Sequence, residues 1–98
     1  MRMRPDPVAR LFRALVADAQ RYGLTTSLAN SDETPWASAT FVGMRIVLQV
    51  VVAHGEPGSW LAALPEADLP VPGHCVADCA IVRVERQSIT LEVLLLED

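Results

Sequence analysis

The apolar positions of this chain change rhythm several times, and each rhythm predicts a different element. In Ile46–Ala53 both alternating sets are almost wholly apolar: Ile46, Leu48, Val50 and Val52 on one side of a strand, Val47, Gln49, Val51 and Ala53 on the other. A half-buried strand alternates apolar with polar, so this one is predicted to need cover on both faces. Nearer the N-terminus the period lengthens. Val8, Leu11, Phe12, Leu15, Ala19 and Tyr22 recur at helical spacing, with Arg10, Arg13, Ala17, Asp18 and Arg21 mostly on the opposite side. Asp6 is placed as N-cap, Pro7 as the first helical residue and Gly23 as the left-handed residue after the last turn, which predicts a helix over Pro7–Tyr22.

Weaker signals fill in the rest. Leu24–Ala29 reads as a short strand, Asn30–Pro35 as a polar connection, and Trp36–Val42 as a second strand. Gly43 and Met44 are then the expected tight turn into the doubly apolar strand, which makes that pair antiparallel. A short helix is predicted over Trp60–Ala67, capped by Ser59 and weakened by Pro65, followed by an extended linker from Leu69 to Gly73. Cys75–Glu85 and Ile89–Glu97 form a final hairpin around Arg86, Gln87 and Ser88. The predicted order is α-β-β-β-α-β-β: one α+β domain over residues 1–98, with an antiparallel sheet of about five strands and the long helix across one face.

That architecture leaves a face to account for. A helix of this length is roughly 24 Å long and about 10 Å across, enough for much of one sheet face and not for both. Val47, Val51, Ile81, Leu94 and Leu96 are expected to need a second layer, supplied by a homodimer partner or else by the short helix and loops. Val47, Val51, Leu94 and Leu96 are the candidate interface residues.

Composition narrows the function classes. Hydrophobic residues make up 51% of the chain and aromatics 5%, so Val, Leu and Ala carry the core and disorder is not expected. All eight basic residues are arginine, against twelve acids. Residues 1–23 carry five arginines and two acids, and residues 24–98 three arginines and ten acids. This basic helix on an acidic body lacks the clustered basic face of a nucleic-acid binder, and no nucleic-acid partner is expected. Pro5, Asp6 and Pro7 interrupt any secretory leader, and no apolar run approaches the ~20 residues that span a bilayer. A cytoplasmic protein without a membrane partner is the resulting expectation.

Candidate chemistry is sparse. His74-Cys75-Val76-Ala77-Asp78-Cys79 holds three ligand types, but the spacing is Cys-x3-Cys with only His54 elsewhere. On a strand the two cysteines would share a face roughly 13 Å apart, too far to chelate one ion or to form a disulfide. No metal and no cofactor are expected. Nucleophile, zinc-protease and phosphate-loop motifs are absent from the sequence. His54, at the end of the apolar strand, is a candidate general base or ligand contact, and Trp36, Trp60 and His74 are the residues that would complete its pocket. The sequence therefore reads as a non-enzymatic protein acting by self-association or protein interaction through an apolar sheet face, with a homodimer formed through that face or through an edge strand. The alternative is a small-ligand-binding domain or minor enzyme built on Trp36, His54, Trp60 and His74, its ligand unspecified.

Overall fold

A computed structural model describes residues 6–98 and shows an α+β fold with an antiparallel sheet. Helix α1 runs over Pro7–Gln20, and the signals that start it act as the sequence implies. The Asp6 carboxylate accepts a hydrogen bond from the Val8 N–H at 3.0 Å, and Pro7 occupies the first turn, where a missing N–H costs nothing. At the other end Leu24 N–H donates to the Ala19 carbonyl (3.1 Å) and Gly23 N–H to that of Gln20 (3.0 Å), with Gly23 at φ +75°. This paired closure uses the left-handed conformation glycine adopts without steric cost. The regular helix ends at Gln20, short of the expected Tyr22, because Arg21 and Tyr22 already belong to this closing turn.

The largest departure from expectation follows. Strand β1 is one continuous element over Thr25–Ala37, joining the first expected strand and the polar connection to only Trp36 and Ala37 of the second, whose remaining residues form the turn and the start of the next strand. It pairs antiparallel with β2, Val42–His54, and the turn lies at Ser38–Phe41 instead of Gly43–Met44. Ser38 builds that turn: its N–H donates to the Phe41 carbonyl at 2.8 Å, and its hydroxyl oxygen accepts from the N–H groups of Phe41 (3.0 Å) and Thr40 (3.3 Å). The polar tract Asn30–Pro35 can be strand because β1 is an edge. Its backbone pairs with β2, its side chains meet water, and Pro35 and the adjacent acids Asp32 and Glu33 blunt the free side against further pairing. Gly43, relieved of turn duty, sits inside β2 where the chain packs closely. A Cβ there would collide with the Leu95 carbonyl oxygen and lie 2.9 Å from Leu96 Cα.

Helix α2 spans Gly58–Ala63 and passes into a 3-10 turn over Leu64–Glu66, in place of one helix over Trp60–Ala67. Pro57 precedes it without a side-chain cap, so Ser59 does not serve as one. Strands β3 (His74–Glu85) and β4 (Ser88–Glu97) form the expected hairpin, and the sheet order is β1-β2-β4-β3. Among the described residues the sheet has four strands and not five.

The core lies on one side of this sheet. Ile46, Leu48, Val50 and Val52 of β2 and Ile89, Leu91, Val93 and Leu95 of β4 are each no more than 1% exposed. They meet Leu11 and Leu15 of α1, and Trp60 and Leu64 of the short helical segment. The Trp60 indole N–H donates to the Asp18 carboxylate at 2.9 Å, a buried contact that ties α2 to α1 and seats both on the same face. Asp18 is thus buried, contrary to its expected place on the solvated side of the helix. Arg10 similarly holds the linker, donating to the Pro72 carbonyl at 2.7 Å beside buried Leu69 and Val71. Ile81 pairs with Leu91 and packs against this core, so it leaves the set of residues that need a second layer.

Two substitutions test the packing. Asp18→Ala removes the acceptor of the buried Trp60 N–H and is expected to cost about 1–3 kcal/mol, read as a lower urea midpoint at unchanged slope. Gly43→Ala forces backbone apart between β2 and β4 and is expected to cost about 1–3 kcal/mol in the same titration.

Candidate functional site

With the helical elements on one side, the other face of the sheet is defined by register alone. The pairings set its side chains in rows: Trp36–Gly43–Leu96–Cys75, then Thr34–Arg45–Leu94–Asp78, then Asp32–Val47–Glu92–Ala80. The next rows are Asn30–Gln49–Thr90–Arg83 and Ser27–Val51–Ser88–Glu85. The middle columns, β2 and β4, hold the candidate interface residues Val47, Val51, Leu94 and Leu96, all half-buried. Leu94, Leu96, Val47 and Trp36 gather toward one end, and Val51 lies apart at the other.

Polar groups in these central columns pair with one another. Arg45 donates to Glu92 at 2.7 Å, with the two side chains 40% and 38% exposed, and the Gln49 amide donates to the Ser88 hydroxyl at 3.1 Å. Arg45 and Glu92 are diagonal neighbours: Arg45 stands across from Leu94, and Glu92 across from Val47. Four adjacent positions therefore form a checkerboard, with opposite charges on one diagonal and Val47 and Leu94 on the other. Sequence reasoning named the two apolar members but missed the charged ones. Arg45 and Glu92 lie 47 residues apart, and only the register joins them.

The four residues proposed for a ligand pocket are not brought together. Trp36 lies half-buried on the open face opposite Gly43, whereas His54 ends β2 opposite Thr25 and is exposed. The stretch of β2 from Gly43 to His54 spans roughly 36 Å at about 3.3 Å per residue. Trp60 is wholly buried on the helical side, held by Asp18. His74 begins β3, on the opposite edge of the sheet from Trp36, and its Nδ1 lies 3.4 Å from the Pro72 carbonyl. It borders a shallow cleft with Asp6, Met44 and Glu97. A further cleft of about 520 Å³ lies between α1 and the linker, lined by Arg10, Arg13, Ala14, Ala17, Pro70 and Pro72.

The cysteines separate as well, for a reason the sequence hid. A register shift between Val76 and Asp78 inserts an extra residue, so Cys75 pairs with Leu96 on the open face and Cys79 with Val93 on the core face. The two thiols therefore point to opposite sides, contrary to the expectation that they share one. Among the described residues no group of three His, Cys, Asp or Glu side chains is placed to hold a metal ion. No described helix is long and apolar enough to cross a membrane. Burial, then the nearby charges of Asp78 and Asp18, push the Cys79 thiol up to about 11.

No protein-family model matches the chain, and neither a curated protein nor a solved structure matches it.

The thiols give a direct check on the faces. At pH 8 an aromatic disulfide reagent is expected to react promptly with exposed Cys75 and only slowly with buried Cys79, whose reactivity rises as pH approaches about 11. Stability carries the same dependence. A thiol pKa raised from 9.0 favours the folded state fully below pH 9, and that contribution is lost as pH rises through about 11.

Proposed function

We propose that this protein acts by assembly, pairing with a second copy of itself through the open face of its sheet. The observation that carries the reading is the one-sidedness of the fold. The Asp18–Trp60 contact draws α2 onto the face that α1 already covers, leaving Val47, Val51, Leu94 and Leu96 without a second layer from the described chain. Half-buried leucines and valines in the two central strands are not the usual surface of a monomer, where large apolar groups are scattered.

The edges favour the face over strand-to-strand pairing. Edge strand β1 carries Asp32, Glu33 and Pro35, and edge strand β3 is interrupted by two register shifts. Each feature discourages continuation of the ladder by another chain. The face is about 19 Å wide, from four strands at about 4.8 Å, and its five rows run about 27 Å. That is roughly 500 Å² in projection, below the ~800 Å² per partner of a standard interface. The expected complex is therefore one that dissociates on dilution.

Light scattering across a concentration series tests the reading. The wild-type protein is expected to pass from monomer to dimer as concentration rises into the micromolar range and above. Leu94→Glu should remain monomeric at the highest concentration while keeping its circular dichroism and urea midpoint, because Leu94 lies outside the core. A wild-type protein that stays monomeric throughout, or a Leu94→Glu protein that dimerises as wild type does, would sink the reading.

A further inference from the structure

The checkerboard at the centre of the open face specifies more than a sticky surface, because its symmetry matches that of a dimer. A two-fold interface must be self-complementary: what one copy presents at a point, the other must accept at the symmetry-related point. For stacked sheets the two-fold axis lies in the plane between them. An axis along the Val47–Leu94 diagonal sets each of these residues over its own counterpart and carries Arg45 across to the Glu92 side of the other copy. Strands are about 4.8 Å apart and alternate residues on a strand about 6.7 Å apart, so the transposed charges fall within about 3 Å of register. Long arginine and glutamate side chains span that offset.

Resting on the reading of this face as a self-association surface, we infer that the second copy docks about this axis and that the Arg45–Glu92 pair is shared between subunits. The 2.7 Å pair of the single chain then becomes half of a ring of four alternating charges, closed by Arg45 and Glu92 of the second copy. Apolar contact comes from Val47 on Val47 and Leu94 on Leu94. The charges fix orientation, since displacement by one row sets Arg45 or Glu92 against an apolar group. The diagonal makes about 35° with the strands, so the strands of the two sheets cross at about 70°, close to the orthogonal class of sheet packing. Two strips about 19 Å wide crossing at that angle overlap over roughly 400 Å², centred on the checkerboard, with Leu96 at the edge, Trp36 just beyond it and Val51 outside the overlap. Exchanged charges at so small an interface act mainly on partner choice and association rate, and added salt should weaken the dimer.

A charge transposition tests this without breaking the pair inside either chain. The double variant Arg45→Glu/Glu92→Arg keeps one positive and one negative group on the same diagonal, so it is expected to fold and to pair with itself. In a heterodimer with wild type, the variant's carboxylate at position 45 faces the wild-type Glu92. Its guanidinium at position 92 likewise faces the wild-type Arg45. Native mass spectrometry of an equimolar mixture, one chain isotopically labelled, reads the outcome. Depletion of the heterodimer by about tenfold or more relative to random mixing is the result expected. Random mixing of the two chains overturns the shared ring; if Leu94→Glu is then monomeric, the open face stands as the interface and only the axis fails. A wild-type protein that is monomeric throughout the series overturns both.

Discussion

A single buried contact, backed by the apolar groups packed around it, marks which side of this sheet is finished. The Asp18 carboxylate accepts from the Trp60 indole at 2.9 Å with the indole wholly buried, although the two residues lie 42 positions apart. A carboxylate removed from water is costly unless hydrogen-bonded, and a buried indole N–H without an acceptor carries a similar penalty. Each group makes the other's burial tolerable. The consequence is geometric as well as energetic. The segment between β2 and β3 holds α2 and the 3-10 turn, and this contact commits it to the side where α1 already lies. Leu64, Leu69 and Val71 follow it into the core, and Arg10 fastens the linker through the Pro72 carbonyl.

From that commitment comes the division of labour within β2 and β4. Ile46, Leu48, Val50 and Val52 of β2 and Ile89, Leu91, Val93 and Leu95 of β4 are close to completely buried, and the opposite face mixes half-buried apolar groups with polar ones, of which Arg45 pairs with Glu92 and Gln49 with Ser88. The same strands thus act as a sealed wall inward and a patterned surface outward. Gly43 shows how closely the central strands are drawn together: the contact with the Leu95 carbonyl leaves no room for even a methyl group.

Periodicity made the buried elements legible and failed where burial gives no signal. Helix α1 carried its start, its stripe and its stop locally, in Asp6, Pro7, the run from Val8 to Ala19, and Gly23. The β3–β4 hairpin was equally readable from the alternation of Ile89, Leu91, Val93 and Leu95. Strand β1 was not, because an edge strand with exposed side chains has the composition of a loop. Asn30, Ser31 and Asp32 are in a ladder for the sake of β2's backbone, not for any preference of their own. Asp18 was misplaced because its spacing from Leu11 and Ala14 fits the buried stripe, but a carboxylate there makes sense only with an indole from a later element. The extra residue near Ala77 left no periodic trace and reversed the expected relation of Cys75 to Cys79. On the open face, the apolar positions Val47, Val51, Leu94 and Leu96 were readable as candidates from the doubly apolar strands, whereas the Arg45–Glu92 diagonal exists only once β2 and β4 are in register.

If the open face is where a second copy docks, as proposed, its polar members would make that association selective. An unbroken sheet of Val and Leu would attract any apolar surface, including misfolded copies of the same chain. Arg45 with Glu92, and Gln49 with Ser88, interrupt the apolar columns so that neither runs uninterrupted down the face. Arg45 and Glu92 already satisfy each other within one chain, so the centre of this surface is balanced in charge before any partner arrives. A partner that lacks complementary charges must desolvate the pair and returns nothing for it, whereas a second copy in the right orientation presents the same pattern transposed. Selectivity on the proposed reading is a matter of arrangement: two apolar and two charged side chains are set on crossed diagonals by the pairing of two central strands, so a docked copy would have to match both diagonals at once.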